Sequence, residues 1–140
     1  MSNFKFVAIL FAVIILLGSC SKEDPKPISE AILKDSNTVI SLKGEFASRV
    51  HQTSGKASIL NNAGVFTLAI ENFKTDAGPD LRVYLSATEG ASDYVSLGAL
   101  KSTSGTFSYP VATTTDFKKY KFVVIWCEDF SVLFGVAELK

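Results

Sequence analysis

The chain has 140 residues, the size of one domain, with 14 basic and 14 acidic side chains and a single histidine. This near-neutral balance, with no basic cluster, gives no support to nucleic-acid binding. One His, one Met and two Cys are too few for a zinc site, which takes three or four nitrogen or sulfur ligands.

Met1 to Ser19 reads as a cleaved secretory signal. Lys5 supplies the basic start, Phe6 to Leu17 the apolar stretch, and small residues follow. The apolar stretch falls short of the ~20 residues that a membrane span needs. Leu17-Gly18-Ser19-Cys20 resembles the bacterial lipobox, in which Cys20 is acylated before cleavage. Several acyl chains anchor a protein stably where one does so marginally. The expected product is an envelope lipoprotein starting at Cys20, held on the outer membrane by its lipid and not spanning it. Cleavage removes Lys5, leaving 13 basic residues from the original 14 against 14 acidic ones.

Residues 20–37 then form a tether. It is polar, carries Pro25 and Pro27, and as a coil of about sixteen residues would reach on the order of 20–25 Å. Lys22-Glu23-Asp24 resembles the Lys-acid-acid signal of surface-exposed lipoproteins and equally suits a charged, solvated linker. The face of the membrane therefore stays open. Ile28 to Lys34 has the composition for a helical turn or two.

From Thr38 to Lys140 the pattern is β. Expected strands are Thr38–Arg49, Lys56–Leu60, Val65–Ile70, Leu81–Leu85, Leu97–Leu100, Gly105–Tyr109, Tyr120–Cys127 and Ser131–Leu139. Asn61-Asn62-Ala63-Gly64 is a hairpin signal, since Asn and Gly tolerate positive φ. In Gly78-Pro79-Asp80, Gly permits positive φ, Pro fixes the next φ, and Asp bonds back to the backbone. Phe122 to Cys127 is apolar on both faces, with Phe122, Val124 and Trp126 on one and Val123, Ile125 and Cys127 on the other. It belongs in the centre of a sheet. Short strands at this spacing, without a helical stripe, predict an all-β fold: a single-domain antiparallel β-sandwich behind the signal peptide and tether.

With Cys20 lipidated, Cys127 has no intramolecular partner, and an unpaired thiol in an oxidising compartment stands out. Two readings compete. Cys packs readily as a small core hydrophobe, and Glu128 and Asp129 disfavour a thiolate. Trp126 is expected to fill the core. Asp76 and Asp80 are too few carboxylates to hold Ca²⁺, and a lone His51 near a turn suits the surface. No hydrolase or transferase constellation stands out.

The order Gly44, His51, Gly55, Phe73, Gly78-Pro79-Asp80-Leu81, Val83-Tyr84-Leu85, Leu97-Gly98, Leu100, Gly105 and Tyr109 is joined by a C-terminal block. That block is Val124-Ile125-Trp126-Cys127, Phe130-Ser131-Val132, Phe134-Gly135, Ala137 and Leu139. Together they resemble the DM-thirteen domain family, from about Ser41 to the C-terminus. Asn72, where an acid is expected, and Pro110, directly after Tyr109, depart from the pattern. The resemblance implies an electron-transfer module whose single cysteine, Cys127, is a bare redox thiol or a ligand to a group such as haem. His51 and Trp126 would then lie near the cofactor. The alternative is a non-catalytic surface binding or adhesion module in which Cys127 is only packed core. The expected partners are the membrane, through the lipid, and a redox or surface protein.

Overall fold

The computed structural model describes residues 37–140. The expected signal peptide, Cys20 and the expected tether up to Ser36 lie outside the described residues. Eight strands follow: β1 (Thr38–Ser48), β2 (Thr53–Asn62), β3 (Val65–Thr75), β4 (Leu81–Ser86), β5 (Tyr94–Ala99), β6 (Ser104–Val111), β7 (Phe122–Cys127) and β8 (Val132–Glu138). Every pairing is antiparallel.

The expected pair of separate sheets is not what forms. The strands make one continuous sheet in the order β5-β4-β7-β8-β1-β2-β3-β6. The reason lies in β1, which pairs with β2 through Thr38–Glu45 and then with β8 through Phe46–Ser48. A register shift between Ile40 and Leu42 marks a bulge in this strand. Bulges bend and twist a strand, which lets one strand serve both halves of a curling sheet. The sheet edges, β5 and β6, meet at Tyr109, whose hydroxyl donates to the Ala99 carbonyl (3.1 Å) and accepts from the Lys101 amide (2.8 Å). The result is a nearly closed barrel.

Alternation along the strands fills its interior. Ile59, Leu68, Ile70, Phe73, Val83, Leu85, Val123, Ile125 and Cys127 all point inward and are buried. Phe73 sits edge-on to both Phe46 and Phe107. β7 lies between β4 and β8 as its two apolar faces predict. Its outward Val124 joins Tyr84 and Val136 in a smaller cluster shielded by Phe122, Trp126, Leu133 and Ala91.

Local geometry explains several sequence signals. The β2–β3 turn places Ala63 (φ 49°) and Gly64 (φ 88°) in the left-handed region. Ala63, not an asparagine, carries the strained position, and Asn61 instead accepts a hydrogen bond from the Gly64 amide at 2.9 Å. Both departures from the family pattern have physical causes. Asn72 takes φ 49° at a bulge in β3, a conformation Asn tolerates. Pro110 lies on the edge strand β6, where a missing donor costs little.

Candidate functional site

Because the strands alternate in direction, the β1–β2, β3–β4, β5–β6 and β7–β8 connections gather at one end of the barrel. Cys127, His51 and the Gly78-Pro79-Asp80 turn all belong to this end. Asn37, the β2–β3 turn and the C-terminus lie at the other.

Cys127 is the last residue of β7, paired with Leu81 of β4 and Val132 of β8. Its side chain is 0 % exposed. The thiol donates to the Pro79 carbonyl at 3.3 Å, while Pro79 itself is exposed. The sulfur therefore sits one peptide group beneath the surface.

The turn above it is held from several directions. The Asp80 carbonyl accepts from the Glu128 amide (3.1 Å), and the Asp80 carboxylate accepts from Arg82 Nε (2.5 Å). The same carboxylate raises the Arg82 pKa above its usual value. The positive φ expected at Gly78 falls on Asp80 instead (φ 36°). Gly78 is needed for space: a Cβ there would lie 2.8 Å from Phe134 Cζ and 3.0 Å from Leu81 Cδ2.

His51 is held by two contacts. Its Nδ1 lies 3.0 Å from Asp76 Oδ2, and its ring stacks on Phe134 with centroids 3.9 Å apart. Asp76 thus serves His51 while Asp80 serves Arg82, so the two carboxylates are committed to different side chains. Beside this pair is a polar cavity of about 260 Å³ lined by Ser48, Gln52, Thr53, Ser54, Lys74, Thr75 and Asp76. Sequence reasoning missed its organising residue, Thr53. Thr53 Oγ1 lies 2.9 Å from Thr75 Oγ1 and 3.2 Å from the Phe134 carbonyl, to which it donates. A Cβ on Gly135 would come within 2.5 Å of Thr53. The pairing of Gly135 with Thr53 is invisible without the fold, because they are far apart in sequence.

Trp126 departs from expectation. One residue before Cys127 on a strand, it points to the opposite face and is only half-buried. It fills no part of the main core and does not flank the sulfur. Tyr84, across β4, donates its hydroxyl to Glu128 on that outer side and stacks on Tyr94 at 4.0 Å.

The residues do not fit a haem held by Cys127 and His51. The sulfur is enclosed by core side chains and aimed at Pro79, and the neighbouring cavity is lined by hydroxyl and charged groups without Cys127. A macrocycle there would displace the barrel core. Among the described residues no group of three or more His, Cys, Asp or Glu is placed to hold a metal ion.

The fold and this end of it define a small antiparallel β-barrel carrying one sealed thiol beneath a Gly-Pro-Asp turn. The family model for Electron transfer DM13 matches residues 45–139, and the chain belongs to that family. No curated protein and no solved structure matches it.

Proposed function

We propose that the chain is a lipid-anchored envelope protein whose barrel is an electron-transfer module, with Cys127 as its bare redox thiol. The observation that carries this is the position of the sulfur, 3.3 Å under the carbonyl of an exposed proline. Family membership supports the activity class; the thiol's role is our reading. Cys20 as lipid attachment site and the outer membrane as location rest on the lipobox-like sequence.

The chemistry constrains how such a thiol works. Oxidation of a thiol releases its proton, and a peptide carbonyl is no base for it. The turn must therefore lift to admit water and a partner. The thiolate then attacks a partner protein's disulfide, one partner sulfur leaves as thiolate and takes up a proton, and a mixed disulfide remains. Cys127 is the only cysteine besides Cys20, so a thiolate of a third molecule must attack the Cys127 sulfur. That releases the partner as a dithiol and leaves Cys127 in a disulfide with the third molecule. Attack by the partner's own second thiolate would only restore the starting disulfide.

A second reading is favoured by a different observation. Val50 and Phe130 are 70 % and 69 % exposed on neighbouring connections at this end. Exposed apolar side chains of this kind suit protein docking, with Cys127 as core alone. Thiol labelling of the native protein by an aromatic disulfide reagent separates the two. Labelling of Cys127 without unfolding, accelerated at least tenfold in Gly78→Ala, supports the redox port. Labelling that occurs only at the global unfolding rate supports the docking module. An absorbance spectrum of protein from its native envelope, before and after reduction, tests haem separately.

A further inference from the structure

The four tyrosines of the chain sit in unequal settings. Tyr109 donates its hydroxyl to the Ala99 carbonyl and has the Lys101 ammonium 4.8 Å from its ring centre. Tyr120 donates to Asp93 at 3.2 Å, but Lys119 holds that carboxylate at 3.0 Å and lies 4.7 Å over the tyrosine ring. Tyr84 differs on both counts. Its hydroxyl donates to the Glu128 carboxylate, and its ring stacks on Tyr94 with centroids 4.0 Å apart. Tyr94 is itself exposed. The two rings line an open groove of about 380 Å³ together with Asp80, Arg82, Ser96 and Glu128. Arg82 is already paired with Asp80 at 2.5 Å, so Glu128 leaves the groove with a negative balance.

We propose that Tyr84 is a one-electron redox site, with Glu128 as its proton acceptor and Tyr94 as its contact with the surface. This rests on the electron-transfer class of the reading above and not on the thiol. A phenol that loses an electron becomes a strong acid, so a base must stand within hydrogen-bond reach of its proton. Glu128 is that base. A high-potential metal centre of a partner protein takes one electron from Tyr84, and the O–H bond breaks. The proton passes to Glu128, which leaves a neutral phenoxyl radical beside a carboxylic acid. Reduction by a one-electron donor returns the proton from Glu128 to Tyr84. No proton leaves the site and no turn has to lift, whereas Cys127 faces only a carbonyl. The negative charge that disfavours a thiolate favours removal of an electron from the adjacent ring. A lysine over the ring, as at Tyr109 and Tyr120, opposes it.

The test uses the chain from residue 20 onward with Cys20→Ser, and photogenerated tris(bipyridine)ruthenium(III) as the oxidant at neutral pH. Transient absorption and freeze-quenched electron paramagnetic resonance read the phenoxyl radical. Tyr84→Phe keeps the ring and its stack and should lose most of the signal, while Tyr120→Phe should keep it. An undiminished signal in Tyr84→Phe overturns the proposal, as does an indolyl radical from Trp126 in place of a phenoxyl. Glu128→Gln keeps an acceptor oxygen without its basicity. Phenoxyl formation there should slow at least about tenfold and become dependent on buffer concentration. An unchanged rate removes Glu128 as the base. Should a variant misfold, the wild type decides alone. With an internal base its rate is independent of added phosphate, and a rate that climbs with phosphate sinks the idea. Labelling of Cys127 tests the thiol separately, so either site can fail without the other.

Discussion

Cys127 and Thr53 show how little of a residue's role follows from its type. Cys127 contributes buried volume and one hydrogen bond to Pro79. Cys127→Ala should therefore cost on the order of 1–2 kcal/mol of stability, read by chemical denaturation. Cys127→Ser retains a donor for Pro79 and should cost less than a charged replacement. Thr53 is the more consequential polar residue, since its hydroxyl serves both Thr75 and the Phe134 carbonyl in a buried setting. Thr53→Val keeps the shape but removes the hydroxyl bonded to Thr75 and one of the two donors to the Phe134 carbonyl, which keeps the Arg49 amide at 3.0 Å. A loss of about 1–3 kcal/mol is expected, and a neutral result would show that water replaces the hydroxyl.

The seam between β1 and β8 is the element on which closure depends. It has three paired positions, Phe46–Ser48 with Gly135–Ala137, and is extended by reciprocal amide bonds between Lys43 and Lys140 (3.0 and 2.9 Å). Glu138 flanks it, and hydrogen bonds from Lys140 and then Lys121 hold its pKa below the usual 4.5. A carboxylate with a depressed folded pKa stabilises above its unfolded pKa, and that stability is lost as pH falls through the folded value. Acid unfolding of the wild type should thus steepen below about pH 4.5, and Glu138→Gln should flatten the profile there. Because the group is solvent-exposed, high salt should weaken the difference. Gly135→Ala would press on Thr53 across the same seam, and overpacking of this kind typically costs about 1–3 kcal/mol.

At the scale of the whole molecule, three of the seven strand pairings join strands distant in sequence: β7 with β4, β8 with β1, and β6 with β3. Loop-closure entropy is lost before these contacts form, so folding in milliseconds to seconds is expected by stopped-flow fluorescence of Trp126, with no faster native-like phase. Much was legible in the chain order. Alternation and turn chemistry are local, so the eight strands, the central place of β7 and the division of that strand into a Val123, Ile125 and Cys127 face and a Phe122, Val124 and Trp126 face could be read directly. The family could be read too, since its Gly-Pro-Asp and Trp-Cys blocks are contiguous. What needed tertiary structure was every relation across the sheet. One strand pairing with both β2 and β8 made a nearly closed barrel where two sheets were expected. Packing chose which face of β7 turned inward, so Cys127 entered the core and Trp126 the outer side. Folding also joined His51 to Asp76 and laid Pro79 over the thiol. Propensity and pattern act over a few residues, whereas register and close approach are set by residues tens of positions apart, and only packing chooses among them.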